Sequence, residues 1–231
     1  ALPLRFAART AREFGARSVG LIAPYLGYMR QDTRFHRGEA VSTPLFAQFL
    51  EEAFDWLVTV DPHLHRVERL QSLYRIPAAH VSATQAVARW IAETVPDAVL
   101  IGPDSESEQW VADIAARSGM PYQVLAKERH GDYDVRVSLP DPAAVAGRAP
   151  VLIDDIVSSG HTILETLAHL RRLSLPPPLL VAIHPVFAGD AYARLQEAGL
   201  ARIVSTDTIA HPSNAIALGA DLAAAASTLM T

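Results

Sequence analysis

The sequence predicts an α/β fold built from two similar doubly wound parallel-sheet units. Short apolar runs alternate with amphipathic helical patterns along most of the 231 residues, as expected when strands and helices follow each other in turn. The apolar runs are continuous, as in residues 151–153, which is typical of strands buried on both faces of a parallel sheet. Polar residues follow several of these runs directly, and open α/β sheets bind ligands at that position.

Composition excludes several classes of function. The chain is 50% hydrophobic and 19% charged, has a net charge of −5 and contains no cysteine. It therefore has no disulfide framework, thiolate metal site or cysteine nucleophile. It also lacks a basic surface for nucleic acid or an anionic membrane. There is no secretory signal and no apolar stretch long enough to span a bilayer, so we expect a cytoplasmic protein.

The first unit is predicted over residues 1–80. Helical spacing from Leu4 to Phe14 predicts a helix closed by Gly15. Because the chain enters this pattern without a methionine, we expect an upstream segment in the longer protein. The remaining elements predicted in this unit are a strand at 18–23, a helix at 42–52 with Pro44 near its start, and a strand at 56–60.

The second unit is predicted over residues 81–231, with the boundary near 75–81 and the last helix a candidate to return to the first unit. Its expected helices are 84–94, capped by Ser82 or Thr84, then 106–118, closed by Gly119, then 162–173 and 191–198. Its expected strands are 98–101, 122–126, 134–139, 151–153, 180–183 and 202–205, with a polar segment at 127–134.

The most informative stretch joins a buried strand to a helix through small and hydroxyl residues. Asp154 and Asp155 follow the apolar run, and the residues that lead into the helix are Ser158, Ser159, Gly160, His161 and Thr162. Free N–H groups and the helix dipole favour an anion there, and the carboxylates suit sugar hydroxyls. The stretch lacks the lysine of G-x-x-x-x-G-K-[ST] and is not G-x-S-x-G. It therefore predicts a sugar-phosphate site, with a simple serine N-cap as the alternative.

Two further segments carry groups suited to phosphates. A loop after the first strand contains Arg30, Gln31, Asp32 and Arg34. Its guanidinium groups suit phosphate oxygens, and the alternative is a solvated basic loop. Asp61 and His63 follow the strand at 56–60 and could hold a hydrated Mg²⁺ near phosphates, the alternative being a capped turn with a structural histidine.

Lys127 and Arg129 lie in a charged loop that follows another strand. Most such runs are simply solvated. Two cations one residue apart on a glycine-containing flap could instead close over a charged transition state and stabilise it electrostatically.

These stretches together resemble a known enzyme family. Residues 154–162 are similar to the phosphoribosyl-pyrophosphate loop shared by phosphoribosyltransferases and ribose-phosphate pyrophosphokinases. Residues 24–32, Pro-Tyr-Leu-Gly-Tyr-Met-Arg-Gln-Asp, resemble a P-Y-x-x-Y-x-R-Q-D motif of the pyrophosphokinases alone. Val-Asp-x-His at 60–63 and Lys-x-Arg at 127–129 also match, and residues 131–137 are most similar to the archaeal-type branch. His161 stands where glycine is usual, and Ser105-Glu106-Ser107 departs from the family's small residues.

The resemblance implies a phosphoribosyltransferase-type fold and synthesis of phosphoribosyl pyrophosphate from ATP and ribose 5-phosphate, in a homo-oligomer. It also implies residue roles. Arg30, Gln31, Asp32 and Arg34 would bind ATP; Asp61, His63 and Asp104 would serve Mg²⁺; Lys127 and Arg129 would be catalytic; and Asp154, Asp155, Ser158, Ser159, Gly160, His161 and Thr162 would bind ribose 5-phosphate. The family also carries an upstream Phe-x-Asp-Gly-Glu segment that helps hold adenine.

Two alternatives stay open. A catalytically weak homologue that regulates an active enzyme is favoured by the altered residues 105–107, whereas Lys127 and Arg129 argue against it. A phosphoribosyltransferase that consumes the product is disfavoured by the Arg30-Gln31-Asp32 motif.

Overall fold

A computed structural model of the chain describes residues 1–34, 36–64, 69–125, 127–129, 135–137, 145–172 and 175–230. The strands are β1 (Gly20–Ala23), β2 (Trp56–Val60), β3 (Ala78–Val81), β4 (Ala98–Gly102), β5 (Tyr122–Val124), β6 (Lys127–Arg129), β7 (Val135–Val137), β8 (Ala149–Val157), β9 (Leu179–Pro185), β10 (Arg202–Thr206) and β11 (Asn214–Ile216). The α-helices are α1 (Leu2–Glu13), α2 (Ser42–Glu51), α3 (Thr84–Thr94), α4 (Glu108–Ser118), α5 (His161–Arg172), α6 (Ala191–Glu197) and α7 (Gly219–Leu229). The chain divides into two compact units, Ala1–Ser82 with Gly219–Thr231 and Ala83–Leu218.

The first unit contains a parallel sheet in the order β1-β2-β3. All five residues of β2 are buried, as its central place between two strands requires. Helix α7 packs against β2 and β3, and α1 and α2 contribute Ala8 and Leu50 to the core around Leu57. Two ion pairs join α1 to the segment after α2, Arg5–Glu52 at 2.5 Å and Arg12–Asp55 at 2.8 Å.

The second unit contains a six-stranded sheet in the order β11-β10-β9-β8-β4-β5, and every neighbouring pair in it is parallel. Three residues of β8, Val151, Leu152 and Ile153, have no exposed surface, which is why this run is apolar without alternation. Helix α5 buries the stripe Ile163, Leu167 and Leu170 in the core cluster, at the spacing of one helix face. The predicted α/β class with parallel sheets is confirmed.

Two predictions about the strands need correction. The polar segment expected at 127–134 is not a loop throughout, because Lys127–Arg129 forms β6 and pairs antiparallel with β7. Strand β8 is longer than the expected 151–153 and includes Asp154 and Asp155. Its extension has a physical cause: β9 continues to pair with β8 as far as Val157.

Candidate functional site

The second unit has a topological switch point between β4 and β8. After β4 the chain adds β5 on one side, and it later adds β8, β9, β10 and β11 in turn on the other side. Ligands of open α/β sheets bind outside the carboxyl ends of the strands at such a point. The residues that follow β4 and β8, beginning at Pro103 and Ser158, therefore border the expected crevice of this unit.

The two carboxylates of β8 lie where its pairing becomes one-sided. Pairing with β4 ends at Leu152, opposite Ile101, whereas β9 follows β8 to its end. Asp154 is half-buried, and Asp155 is only 7% exposed. The Oδ1 atom of Asp155 accepts a hydrogen bond from the Ile156 N–H at 2.8 Å. Asp154 is thus the more accessible carboxylate, and Asp155 is held by the backbone N–H of the next residue.

Residues 158–162, called loop 158–162 from here on, turn the chain from β8 into α5. Gly160 has a φ of +72°, and a Cβ added there would lie 3.0 Å from Cδ1 of Leu195. Both the left-handed backbone and this close approach therefore call for glycine. The Oγ of Ser159 accepts a 3.5 Å hydrogen bond from the His161 N–H. The first N–H groups of α5 have no acceptors within the helix and, with its dipole, favour an anion at this end.

His161 begins α5 with an exposed imidazole. Its Nε2 lies 3.1 Å from Oε1 of Glu165, one turn further along the helix. Residues at this spacing share a helix face, so the ring lies along the first turn of α5. His161 therefore differs from a glycine at this position by an exposed ring that contacts Glu165.

Asp104, which follows β4, caps a short 3-10 turn, Ser105–Ser107. Its Oδ1 accepts hydrogen bonds from the N–H groups of Glu106 at 3.1 Å and Ser107 at 3.2 Å. Ser107 is buried, and its Oγ donates to the Asp104 carbonyl at 2.6 Å. Gly102 makes room for this turn, because a Cβ there would meet the Ser107 Oγ at 2.5 Å. The altered residues 105–107 thus form a self-contained capped turn, and a metal role for Asp104 stays a prediction.

In the first unit, residues 28–34, called loop 28–34 from here on, lie between β1 and α2. The start of α2 holds this loop by hydrogen bonds to the carbonyl groups of the loop. The Thr43 hydroxyl lies within hydrogen-bond distance of the carbonyls of Tyr28 at 3.1 Å and Gln31 at 3.0 Å. The Ser42 hydroxyl donates to the Tyr28 carbonyl at 3.1 Å. Thr43 is only 2% exposed, so its hydroxyl has few partners other than these carbonyls.

The side chains of loop 28–34 differ in their exposure to solvent. Arg30 is exposed, and Gln31 and Asp32 are half-buried. Arg34 is exposed, and its Nε donates to the Glu39 carbonyl at 2.7 Å. The loop therefore offers guanidinium groups on a backbone that is fixed elsewhere, which is suited to binding phosphate oxygens.

Asp61 and His63 both lie buried just beyond β2, 8% and 9% exposed. Asp61 has a φ of +30°, and its N–H donates to the Val81 carbonyl at 3.0 Å. Among the described residues, no group of three or more His, Cys, Asp or Glu side chains could hold a metal ion. Mg²⁺ commonly takes one or two carboxylates together with waters and phosphates. Asp61 fits this requirement, whereas the imidazole of His63 fits only through a bound water.

For Lys127 and Arg129 the structure describes the backbone, which belongs to β6. Lys127 pairs with Val137, and Arg129 pairs with Val135, across the β6–β7 ladder. Lys127 and Arg129 are therefore alternate residues of β6, each opposite a valine of β7. The intervening residues 130–134 lie outside the described part of the chain.

Sequence reasoning missed the residues that hold loop 158–162 in place by packing and hydrogen bonds. Leu195 of α6 packs against Gly160, and the N–H of Ala188 donates to the Ser158 carbonyl. The N–H of Phe187 donates to the Val157 carbonyl, immediately before the loop. A contact between positions 30 or more residues apart leaves no local pattern.

Comparison with known proteins matches these features to a class and then to a family. A sequence profile described as "Phosphoribosyl transferase domain" matches residues 76–211, the region of the switch point. The second unit is therefore a phosphoribosyltransferase-type domain. A profile described as "N-terminal domain of ribose phosphate pyrophosphokinase" matches residues 2–53.

Individual relatives point to the same family. The chain is 34% identical to a ribose-phosphate pyrophosphokinase of Methanopyrus kandleri over 95% of this chain and 75% of that protein. It is also 34% identical to one from Saccharolobus solfataricus, over 87% and 69%. The crystal structure of phosphoribosylpyrophosphate synthetase from Mycobacterium smegmatis superposes with a TM-score of 0.78 and 25% identity, covering 97% of this chain and 74% of that one. The chain belongs to the ribose-phosphate pyrophosphokinase family. Within the described ranges, no helix is both long and apolar enough to cross a membrane.

Proposed function

We propose that this chain is a ribose-phosphate diphosphokinase that makes phosphoribosyl pyrophosphate and AMP from MgATP and ribose 5-phosphate. Membership of the family supports the reaction. The observation that carries the sugar-phosphate half is the combination of two carboxylates near the end of one strand with the N-terminus of the helix that follows it, beside the switch point. Acids suit the sugar hydroxyls, and amides suit the phosphate.

In this reaction the 1-hydroxyl oxygen of ribose 5-phosphate attacks the β-phosphorus of ATP. The bond from that phosphorus to the α,β-bridging oxygen breaks, the hydroxyl loses its proton, and AMP leaves with the bridging oxygen. We assign the 2- and 3-hydroxyls of ribose to Asp154 and Asp155, and the 5-phosphate to loop 158–162. Lys127 and Arg129 would neutralise the charge that develops as the bridging bond breaks.

For the other substrate, we assign ATP to Arg30, Gln31, Asp32 and Arg34. Asp61 would hold Mg²⁺, with His63 contributing through water and Asp104 as a further candidate. When bound, Mg²⁺ supplies positive charge that offsets the phosphate oxygens. We further propose a homo-oligomer in the cytoplasm, with no nucleic acid or membrane as partner. Light scattering of the purified protein would report its oligomeric state.

The experiment that tests the function is ³¹P NMR of the protein with MgATP and ribose 5-phosphate. We expect the β-phosphorus of ATP to appear in a diphosphate attached to the sugar, together with one AMP per product. Ribose without its phosphate, and the Asp154→Asn variant, are the controls that should give little product. Release of ADP, or of AMP at the same rate without the sugar phosphate, would contradict the proposal.

A regulatory homologue remains the second candidate, because one carboxylate oxygen of Asp104 accepts hydrogen bonds from the 105–107 turn. It predicts no AMP from the isolated chain, but a changed rate when the chain is mixed with an active relative.

A further inference from the structure

The four residues after β9, called segment 186–189, run beside the start of loop 158–162 and are hydrogen-bonded to it. The N–H of Phe187 donates to the Val157 carbonyl at 2.9 Å, and the N–H of Ala188 donates to the Ser158 carbonyl at 3.0 Å. These bonds continue the pairing of β8 and β9 past its last register pair, Val157 with Pro185. They therefore fix the backbone at the point where the strand becomes the loop.

Phe187 makes these bonds from a strained conformation. Its φ is +38°, in the left-handed region that side chains with a Cβ rarely adopt. Such a conformation persists only when the surroundings over-determine it, and it is found disproportionately at functional sites. The requirement at Phe187 is thus for a side chain that holds an unfavourable backbone in place.

The Phe187 ring provides that hold. It is only 7% exposed, and its centroid lies 4.7 Å from the ring of His211 and 5.1 Å from the ring of Tyr192. The rings of Tyr192 and His211 meet edge to face at 4.5 Å. Tilted aromatic contacts of this kind are favourable beyond the area they bury, so the three rings form one anchor, called the aromatic cluster below.

Hydrogen bonds in turn connect the cluster to strand β10 of the sheet. Nδ1 of His211 accepts from the Ser213 N–H at 3.2 Å and lies 2.7 Å from the Ser213 hydroxyl. The Ser213 hydroxyl lies 2.7 Å from that of Ser205 in β10. The anchor is therefore continuous with the sheet rather than part of a surface loop.

Loop 158–162 is supported a second time by α6. Leu195, which has no exposed surface, lies directly against Gly160. Tyr192 belongs to the same helix, one turn before Leu195. Helix α6 thus contributes both a ring of the aromatic cluster and the side chain that packs against Gly160. A displacement of Phe187 would therefore affect the loop both through the backbone hydrogen bonds and through α6.

We infer that Phe187 is a positioning residue for sugar-phosphate binding: its ring holds a strained backbone that is hydrogen-bonded, through Phe187 and Ala188, to the two residues where β8 passes into loop 158–162. This inference rests on the proposed function, because it takes the loop as the site of ribose 5-phosphate. Phe187 touches no substrate in this role, and it acts through the amides of the loop.

The test compares Phe187→Leu with a matched variant, Phe54→Leu. Phe54 is 6% exposed in the core of the first unit, so both changes remove one buried ring. For Phe187→Leu we expect KM for ribose 5-phosphate to rise about tenfold while KM for ATP stays within about twofold. Phe54→Leu should lower the melting temperature and leave the ratio of the two KM values unchanged.

Amide hydrogen exchange of loop 158–162 in the free protein separates this inference from the function, since it needs no turnover. Exchange should be about tenfold faster in Phe187→Leu and unchanged in Phe54→Leu. Tyr192→Leu, a milder change in the same cluster, should act in the same direction and covers the case in which Phe187→Leu does not fold.

Unchanged exchange in the loop, or an unchanged affinity for ribose 5-phosphate measured by calorimetry, would overturn the positioning role. Wild-type protein that binds ribose 5-phosphate but forms no AMP would contradict the proposed function alone. Equal rises in both KM values would show that Phe187 serves the fold rather than the loop.

Discussion

Loop 158–162 and loop 28–34 present their proposed binding groups in opposite ways. In loop 158–162 the proposed binding groups are backbone amides, and the support comes from Leu195, which packs against Gly160, and from segment 186–189. In loop 28–34 the carbonyls are engaged by Ser42 and Thr43, and the proposed binding groups are side chains. A backbone site depends on the shape of the chain, whereas a side-chain site depends on which residue is present. Substitutions should therefore affect the two loops differently.

The largest effect is expected outside both loops, at Lys127. If its charge meets charge that develops in the transition state, Lys127→Ala should lower kcat by about a hundredfold to a thousandfold, or about 3–4 kcal/mol. KM for both substrates should change little, which distinguishes this residue from either loop. AMP release at saturating substrates is the measurement. An unchanged kcat would remove the β6–β7 hairpin from the mechanism.

The next largest effect is expected at Gly160, where the backbone site is most easily broken. Gly160→Ala adds a Cβ at a φ of +72° and against Leu195, so KM for ribose 5-phosphate should rise by up to about a hundredfold. Gly119→Ala is the matched control, because Gly119 has a φ of +71° with nothing within 4 Å of the added atom. It should cost about 1–2 kcal/mol of stability and leave KM unchanged.

A smaller effect is expected where loop 28–34 is held. Thr43→Val keeps the shape but removes one of the donors to carbonyls that the Ser42 hydroxyl and the Thr43 N–H also reach, at a cost of about 0.5–1.5 kcal/mol. KM for ATP should rise by less than about tenfold, and KM for ribose 5-phosphate should not change. The control is Thr84→Val, since Thr84 is a buried threonine of the second unit that donates to Asp113 at 2.5 Å. Equal effects of the two variants on KM for ATP would show that loop 28–34 does not depend on Thr43.

The smallest effect concerns pH and the aromatic cluster. Burial lowers the pKa of His211. Below about pH 6.5 the unfolded chain therefore binds a proton at this histidine more readily than the native state does. The free energy of unfolding should therefore fall as the pH drops from about 6.5 toward the lowered pKa, by at most about 1.4 kcal/mol per pH unit. Urea unfolding of His211→Gln should show a weaker pH dependence than wild type. Identical curves for His211→Gln and wild type would contradict this.

Local features of the fold could be read from the sequence with good precision. The strand at 56–60 has the bounds predicted, because its apolar run is buried throughout. Helix α4 ends at Ser118, and Gly119 adopts the left-handed conformation expected of a terminal glycine. By contrast, the short strands β3 and β11 were missed. Their residues, Ala78–Val81 and Asn214–Ile216, are few and only partly apolar, so sheet pairing rather than local pattern makes them strands.

By itself the sequence determined the α/β class, the family and the composition of both loops, because these depend on neighbouring residues and their periodicity. It could not determine how the loops are held. Gly160 meets Leu195, and Val157 and Ser158 accept hydrogen bonds from Phe187 and Ala188, only after β8, β9 and α6 have packed together. Each of these contacts joins positions about 30 or more residues apart, and the strain at Phe187 exists only in the folded chain. Packing between distant segments sets the loop geometry, and no local sequence pattern records it.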